Sequence, residues 1–207
     1  MITGAEALIG QWITDPKVQD RPPLIGISGC QGSGKTTLGR ALAQRFGAVH
    51  LSLDDLYRTQ DQRRSLAHDI HPLCAVRGAP GSHDLDLGRA VIEALSTARP
   101  STQTALPAFD KLADERLPND QWPVFVGRPT AILIDGWCLG ALPIAAPQLA
   151  LPVNGLEAEE DRQGLWRGWW NGQLSGPYSL WHAHFDKILM LAAPSFDIVL
   201  DWRCQQE

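Results

Sequence analysis

Apolar residues recur along the chain with two different periods, which predict alternating strands and helices. Residues 24–28 and 48–53 are apolar runs, and between them apolar side chains recur at helical spacing over residues 35–46. Gly47 ends that predicted helix. A strand, a helix and a strand in one compact stretch form a βαβ unit, so we expect a parallel sheet. Continuous apolar runs predict buried strands at residues 24–28, 48–53 (AVHLSL), 130–137 (TAILIDGW) and 187–191 (KILML).

The remaining segments predict further helices and one long irregular region. Residues 68–129 are rich in turn formers, with a helix expected inside them. Three tryptophans, Trp166, Trp169 and Trp170, recur at helical spacing, which favours packing over a ligand platform. Helices are predicted at residues 5–14, 85–98, 156–173 and from 193 towards the end.

The composition excludes several classes of protein. The chain has 207 residues, with 44% hydrophobic and 20% charged residues and a net charge of -5. No basic run is present, so neither a nucleic acid nor a membrane surface is expected as a partner. The four cysteines are scattered, which argues against disulfides or structural zinc. No segment resembles a signal peptide, and no apolar run approaches the roughly 18 residues of a membrane span, so we expect a cytoplasmic protein.

One short segment carries a specific chemical signal. Residues 29–36 (GCQGSGKT) fit G-x-x-x-x-G-K-[ST], with a predicted strand before them and a helix after them. Glycines allow consecutive backbone N–H groups to surround phosphate oxygens, and the start of the helix adds its positive dipole end. Lys35 is expected to reach the β- and γ-phosphates of ATP, and Thr36 to bind Mg²⁺. The predicted nucleotide-binding residues are Gly29, Cys30, Gln31, Gly32, Ser33, Gly34, Lys35, Thr36 and Thr37.

Other landmarks separate the classes of nucleotide-binding protein. A guanine-reading NKxD tetrapeptide does not occur in the chain, and Asp135 is followed by GWC where a GTPase would have DxxG. The segment NGQLSGP at residues 171–177 only superficially resembles the LSGGQ signature of ABC-type ATPases. A kinase acting on a small molecule remains.

Such a kinase needs a carboxylate beside the acceptor hydroxyl. Asp54 follows the second strand, where open α/β sheets present their ligands, and it is the predicted catalytic base. Helix capping is the alternative for Asp54 and the favoured reading for Asp55. Asp135 ends the third strand, so we expect it near the metal, and we assign Thr36, Asp54 and Asp135 to the Mg²⁺ site.

Five short segments taken together resemble one known family. GISGCQGSGKTTL, LSLDDLYR, VRGAPGSHDLDL, LPAFDKLADERLP and ILIDGWCLG, in this order, closely resemble the D-glycerate 3-kinase family. That family is related to phosphoribulokinase, uridine kinase and bacterial pantothenate kinase. The resemblance implies a P-loop kinase fold, an α/β three-layer sandwich with a mostly parallel central sheet, as a single domain over residues 1–207. It also implies ATP- and Mg²⁺-dependent phosphorylation of the 3-hydroxyl of D-glycerate.

The same resemblance assigns roles to residues of the first motifs. SLDDLY resembles the S-x-D-x-F-Y element of uridine kinases, which implies that Asp54 is the base and that Tyr57 contacts the acceptor. RGAPGSHD is similar to the family's RG-x-x-G-T/S-HD loop, so His83 and Asp84 are candidates for holding substrate hydroxyls. Arg77, in the same loop, is a further candidate. A structural role for His83 is the alternative.

A later motif is implied to bind the acid group of the substrate. FDK followed by DER resembles the family's Y/F-D-K…G-D-R segment, which places Asp110, Lys111 and Arg116 at the substrate. The two cations could neutralise a carboxylate, because a small anionic acceptor must be held against the repulsion of a triphosphate. The alternative for Lys111 and Arg116 is that they are solvated loop charges.

Two departures from the family pattern affect these expectations. Asp135 stands where relatives commonly have Glu, a change that keeps the negative charge. The chain stops at DWRCQQE, where the family continues with a lid that begins near residue 200 and carries arginines towards the transferred phosphate. Arg203 is the candidate lid arginine, and we expect a fold truncated at the C-terminus, with the lid cut short. A shortened protein, an incomplete reading frame and an impaired enzyme are all compatible with this ending.

Three functions follow from the sequence. The leading one is a kinase for D-glycerate or another small hydroxylated acid. A uridine-kinase-like or pantothenate-kinase-like activity is the second, and the paired cations argue against a neutral nucleoside. The third is an ATP-binding switch protein that no longer catalyses. Retention of Lys35, Thr36, Asp54 and Asp135 together argues against that reading, because binding alone needs no base.

Overall fold

A parallel sheet with helices on both faces organises the chain, as seen in a computed structural model that describes residues 2–14, 21–195 and 197–206. The strands are β1 (Leu24–Gly29), β2 (Val49–Ser52), β3 (Gln103–Ala105), β4 (Phe109–Asp110), β5 (Glu115–Arg116), β6 (Val124–Val126), β7 (Ile132–Gly136) and β8 (Lys187–Leu191). The helices are α1 (Ile2–Thr14), α2 (Lys35–Phe46), α3 (Gln60–Asp69), α4 (Leu85–Thr97), α5 (Ala146–Leu149), α6 (Gly155–Glu160), α7 (Leu165–Gln173), α8 (Ser179–His182) and α9 (Asp197–Gln206). Short 3₁₀ turns lie at Leu53–Leu56, Pro72–Ala75 and Asn119–Gln121, and a π-helical turn lies at Leu174–Tyr178.

The four apolar runs form one sheet, in the order β2-β7-β1-β8. All three pairings between neighbouring strands are parallel, which confirms the sequence-based prediction. In this register Ser52 of β2 and Ile27 of β1 both lie beside Asp135 of β7. The carboxyl ends of β1, β2 and β7 therefore meet at one edge of the sheet.

Successive residues of the buried strands enter two separate apolar clusters, one on each face of the sheet. In β7, Ile132 and Ile134 join the cluster that also contains Leu95 of α4, whereas Leu133 joins the cluster that contains Leu42 of α2. This division follows from the two-residue period of side chains along a strand. It produces the three layers expected from the sequence, with α2 on one face and α4 on the other.

Helix α2 begins and ends as the sequence predicts, and glycine sets both ends. Gly34 precedes the helix with φ 85°, and Gly47 follows it with φ 68°. Both values lie in the left-handed region, which glycine adopts without steric cost. The backbone N–H of Gly47 donates to the carbonyl of Ala43, which closes the last turn.

The prediction of one continuous helix over residues 156–173 is wrong, because a break separates α6 from α7. Gly164 has φ 71°, and the carboxylate of Asp161 accepts hydrogen bonds from the backbone N–H groups of Trp166 and Arg167 at 2.9 and 3.0 Å. An acid that satisfies the free N–H groups of a helix start favours a new helix at this point. Trp170 packs against the apolar cluster on the α4 side, as its spacing predicts.

The region 68–129 contains more regular structure than its composition suggests. Besides α4 it holds two antiparallel strand pairs, β3 with β6 and β4 with β5. The pair β4–β5 with its connecting turn, residues 109–116, is called the acceptor hairpin below. A hydrogen bond from the backbone N–H of Gln60, the first residue of α3, to the carboxylate of Glu115 at 3.0 Å connects the acceptor hairpin to α3.

Candidate active site

The glycine-rich loop after β1 forms one wall of a cavity of about 1270 Å³. Gly32 has φ 76° and precedes the turn into α2, whose first residue is Lys35. The ammonium group of Lys35 donates to the carbonyl of Cys30 at 2.7 Å, across the loop. Such a loop can surround an anion with backbone N–H groups. The predicted nucleotide-binding residues that line the cavity are Gly29, Cys30, Gln31, Gly32, Gly34, Lys35, Thr36 and Thr37.

Lys35 and Ser33 differ in how they face the cavity. Burial lowers the pKa of the Lys35 ammonium group, and the nearby carboxylates of Asp135 and Asp54 act in the opposite direction. Ser33 is the one predicted nucleotide-binding residue that does not line the cavity, and its hydroxyl is buried without a hydrogen-bond partner among the described residues. Lys35 therefore lines the cavity, whereas Ser33 does not.

Thr36 and Asp135 meet at the edge of the sheet beneath the loop. The hydroxyl of Thr36 donates to Oδ2 of Asp135, whose side chain is buried. His50 of β2 lies on the other side, with its Nε2 3.7 Å from the same oxygen. Burial alone would raise the pKa of Asp135, but His50 and the Thr36 hydroxyl hold that pKa below its ordinary value. Asp135 therefore stays a carboxylate.

These two side chains fit a Mg²⁺ ion that is bound together with phosphates. Oδ1 of Asp135 is buried without a partner among the described residues, so an acceptor oxygen remains for a ligand. A hydroxyl and a carboxylate are oxygen donors of the kind that Mg²⁺ prefers. The described residues contain no cluster of three or more His, Cys, Asp or Glu side chains that could hold a metal alone. A site of this kind needs phosphate oxygens and water to complete it.

Asp54 lines the same cavity as the phosphate loop. It lies in the 3₁₀ turn after β2, where the hydroxyl of Ser52 accepts from its backbone N–H at 3.4 Å. Its Oδ1 accepts from the hydroxyl of Tyr57 at 3.1 Å, and its Oδ2 accepts from the ammonium group of Lys111 at 2.7 Å. The side chain of Asp54 is 30% exposed, so the carboxylate is reachable from the cavity.

The neighbouring acid, Asp55, does not cap the turn as predicted. Ser52 occupies the capping position, while Oδ1 of Asp55 accepts from the backbone N–H of Phe109 at 3.4 Å. Burial raises the pKa of Asp55. Asp55 therefore ties the acceptor hairpin to the turn that carries Asp54.

Tyr57 and His83 form a buried aromatic stack behind Asp54. Their ring centroids are 4.5 Å apart with an interplanar angle of 20°, and Tyr57 lines the cavity. Nδ1 of His83 lies 2.6 Å from the hydroxyl of Tyr178, which also accepts from the backbone N–H of Gly81 at 2.9 Å. Burial lowers the pKa of His83 to about 3, so the ring is neutral at pH 7. Its Nε2 is buried without a partner among the described residues.

Two of the predicted substrate-binding cations line the cavity, and the third does not. Lys111 and Arg77 line the cavity, and the ammonium group of Lys111 contacts Asp54. Arg116 donates through Nη2 to the carbonyl of Tyr57 at 2.7 Å and to the carboxylate of Asp84 at 3.2 Å, away from the cavity lining.

Asp84 and Asp110 are engaged in local structure. Asp84 accepts from the backbone N–H of Leu87 at 3.1 Å, which caps α4. Asp110 accepts from the backbone N–H groups of Leu112 and Ala113 at 2.8 and 3.0 Å, which forms the turn of the acceptor hairpin. Neither acid lines the cavity in the described part of the chain.

Helix α9 covers the outer side of the phosphate loop. Asp197, Val199 and Leu200 line the cavity, and a Cβ atom added to Gly32 would lie 2.4 Å from Cβ of Trp202. The side chain of Arg203, the predicted lid arginine, lies outside the residues that the structure describes.

The structure adds cavity residues that the motifs did not indicate. Trp137 lines the cavity, and its Nε1 donates to the carbonyl of Gly78 at 3.2 Å. Its position two residues after Asp135 was a usable signal. The contacts of His50 and Asp114 depend on residues far away in the sequence, so no local pattern indicates them.

Two known proteins are similar in sequence to this chain. An uncharacterized kinase of Schizosaccharomyces pombe, mug58, is 30% identical over 204 residues, which cover 93% of this chain and 72% of that protein. A bifunctional pantoate ligase/cytidylate kinase of Synechococcus sp. is 40% identical over 70 residues, 32% of this chain and 14% of that protein. No protein-family model matches the chain.

Solved structures show the same fold. A D-glycerate 3-kinase from Cryptococcus neoformans superposes with a TM-score of 0.75 and 23% identity, covering all of this chain and 77% of that one. A possible uridine kinase from Bacillus stearothermophilus gives a TM-score of 0.51 with 16% identity, covering 91% of this chain and 98% of that one. Within the described ranges, no helix has the length and apolar character needed to cross a membrane.

Proposed function

Because the chain belongs to the D-glycerate 3-kinase family of P-loop kinases, we propose that it transfers the γ-phosphate of ATP to the 3-hydroxyl of D-glycerate. The products would be 3-phosphoglycerate and ADP. One observation carries the proposal: Asp54 shares a cavity with the phosphate loop, next to two cations that suit an acidic acceptor. The coarser conclusion, a kinase, rests on the relatives as well.

The phosphate loop and Lys35 would bind the triphosphate. Backbone N–H groups of the loop and the first turn of α2 would surround the phosphate oxygens, and the Lys35 ammonium group would leave the carbonyl of Cys30 to reach them. Thr36 and Asp135 would hold Mg²⁺ from the side of the sheet. When bound, the ion neutralises charge on the phosphates.

Asp54 would orient the acceptor hydroxyl and accept its proton. In the ligand-free arrangement Oδ2 of Asp54 is engaged by Lys111, and Oδ1 by Tyr57. An acceptor carboxylate could draw Lys111 away from Oδ2, which would then be available to the hydroxyl. Tyr57 would keep the carboxylate in position, because it contacts the other oxygen. The attacking oxygen would then face the γ-phosphorus in line with the leaving oxygen.

An anionic acceptor fits this wall better than a neutral one. Lys111 and Arg77 both line the cavity on the side of Asp54, and each is already paired with an acid. A carboxylate can compete for these cations through charge-assisted hydrogen bonds, whereas a nucleoside offers no such group. This balance favours D-glycerate over uridine.

A panel of acceptors tests the proposal. The purified protein with Mg-ATP is given D-glycerate, pantothenate, uridine or glycerol separately, and ADP release is followed. We expect stimulation by D-glycerate, with 3-phosphoglycerate as the product, and little by glycerol, which lacks the carboxylate. Stimulation by uridine alone would refute the assignment. Nucleotide binding without any acceptor-dependent release would favour the switch protein instead.

A further inference from the structure

Asp114, in the turn of the acceptor hairpin, has an unusual backbone conformation. Its φ is 54°, and among the described residues it is the single non-glycine with positive φ. This region is unfavourable for a side chain with a Cβ atom, although Asp and Asn tolerate it better than most. A residue that stays there against its preference is held by its surroundings. The contacts of its carboxylate show what holds it.

The carboxylate of Asp114 lies between two arginines. Oδ2 accepts from Nη2 of Arg63 at 2.9 Å, and Oδ1 accepts from Nη1 of Arg77. These hydrogen bonds hold the pKa of Asp114 below its ordinary value, although burial acts in the opposite direction. Asp114 is therefore a carboxylate that connects two guanidinium groups.

Arg63 provides a fixed anchor for this connection. Its side chain is 1% exposed, and its guanidinium donates to the carbonyls of Arg58, Ala75 and Asp114 at 3.2, 2.9 and 2.7 Å. A buried arginine with this many partners has little freedom to move. Through Arg63, the position of Asp114 is set by the α3 segment.

Arg77 is the more exposed partner, and it lines the cavity. Its side chain is 31% exposed, and its guanidinium carbon lies 5.7 Å from the centroid of the Phe109 ring. Asp114 engages only Nη1, and no other described side chain accepts from Nε or Nη2. These N–H groups remain available for a ligand.

We propose that Asp114 is a positioning residue for the acid end of the acceptor, acting through Arg77. This inference rests on the proposed function, because it assumes a carboxylate in the cavity. Arg63 fixes Asp114, and Asp114 fixes one side of the Arg77 guanidinium over the Phe109 ring. Arg77 lines the cavity together with Lys111 and Asp54. A pre-oriented guanidinium binds a carboxylate with less loss of conformational freedom than a free one.

Steady-state kinetics with D-glycerate test this arrangement. Asp114→Gly suits φ 54° and removes the carboxylate, so the backbone of the turn is preserved. We expect the KM for D-glycerate to rise about tenfold, with kcat and the KM for ATP within about twofold. Asp114→Asn keeps one oxygen acceptor, which can serve Arg77 only if the amide NH₂ faces Arg63, so the KM for D-glycerate should recover in part, to a value between those of the glycine variant and the unsubstituted protein.

A double-substitution cycle separates positioning from a general structural effect. If Asp114 acts through Arg77, the KM of the Arg77→Ala variant should rise no further when Asp114→Gly is added. Asp120→Asn, an exposed acid outside the cavity lining, is the matched control and should leave all parameters unchanged.

Four outcomes would overturn the inference. Additive effects of the two substitutions would show that Asp114 does not act through Arg77. An equal rise in the KM values for ATP and D-glycerate, or an unchanged KM for D-glycerate, would refute it while leaving the proposed function intact. If the unsubstituted chain released no ADP in response to D-glycerate, the proposed function and this inference would both fail.

Discussion

The substitution Asp54→Asn removes a carboxylate that lines the cavity together with the phosphate loop, and it keeps the size of the side chain. Asn can still contact Tyr57 and Lys111, because its amide offers an oxygen to the ammonium group and its NH₂ can donate to the tyrosine hydroxyl. The surroundings should therefore stay in place. The lost property is the capacity to accept the proton of the acceptor hydroxyl.

The size of the effect follows from this single loss. General-base catalysis contributes about 10²–10⁴-fold to rate, so kcat should fall by at least about 100-fold. That factor corresponds to about 2.7 kcal/mol of transition-state free energy. The Kd for ATP should change by less than about threefold, because Asp54 contacts none of the phosphate-loop residues through a hydrogen bond in the described part of the chain.

Asp55→Asn is the matched control for this experiment. The neighbouring acid accepts from the backbone N–H of Phe109 at 3.4 Å, and an amide oxygen can replace the carboxylate there. Coupled-assay kcat and fluorescence-monitored nucleotide binding would be measured for both variants. A kcat for Asp54→Asn within tenfold of the unsubstituted value, or equal losses in the two variants, would refute the assignment of Asp54 as base.

Three further predictions concern the phosphate loop and a buried ion pair. Lys35→Ala should raise the Kd for ATP and lower kcat together, each by about tenfold or more, and unchanged nucleotide binding in a titration would contradict its contact with phosphates. Gly32→Ala should displace α9 from the loop, because the added Cβ would lie 2.4 Å from Cβ of Trp202 and φ is 76°; faster hydrogen exchange over residues 197–206 is the expected sign, and unaltered exchange would count against it. Arg167→Met should lower the free energy of unfolding by about 3 kcal/mol, because the buried carboxylate of Asp161 loses its cationic partner at 3.0 Å while keeping its two backbone N–H donors. Burial acts to raise the pKa of Asp161, but hydrogen bonds from the backbone N–H groups of Arg167 and Trp166, together with the Arg167 guanidinium, hold that pKa below its ordinary value. The backbone hydrogen bonds remain in the variant, so only the part contributed by the guanidinium differs; it is present above the unfolded pKa of about 3.9 and is lost as pH falls below the folded value. Urea midpoints at pH 7 and pH 3 should show the difference between the two proteins narrowing in acid, and a constant difference would argue against the pair.

The elements with local signals were predictable from the sequence. The strands β1, β2, β7 and β8 are continuous apolar runs. Helix α2 lies between a glycine-rich loop and Gly47, so its apolar spacing and the glycines at its ends predict the same boundaries. The break between α6 and α7 was not predicted, because apolar spacing continues through it. The break depends on where the Asp161 carboxylate points, which only the folded chain determines.

In the site, too, the part with a local sequence signal was predictable and the rest was not. The phosphate loop is a contiguous motif, and its residues line the cavity together. The acceptor side is assembled from segments far apart in the chain, and similar-looking charges have different positions there. Lys111 reaches Asp54, whereas Arg116 is taken up by Asp84 and the carbonyl of Tyr57. Sequence spacing cannot distinguish two such cations, because their partners are chosen by tertiary packing.

The number of residues in β7 decides on which face of the sheet Asp135 lies, because side chains alternate between the two faces along the strand. Ile132 and Ile134 belong to one apolar cluster and Leu133 to the other, so the next position, Asp135, emerges on the α2 side beside Thr36. Deleting one residue within the strand would exchange these faces, and the carboxylate of Asp135 would point into the apolar cluster on the α4 side. The carboxylate of Asp135 would then no longer lie beside the hydroxyl of Thr36, although both residues would still be present. Insertions and deletions should thus be tolerated in the surface connections and excluded from this strand.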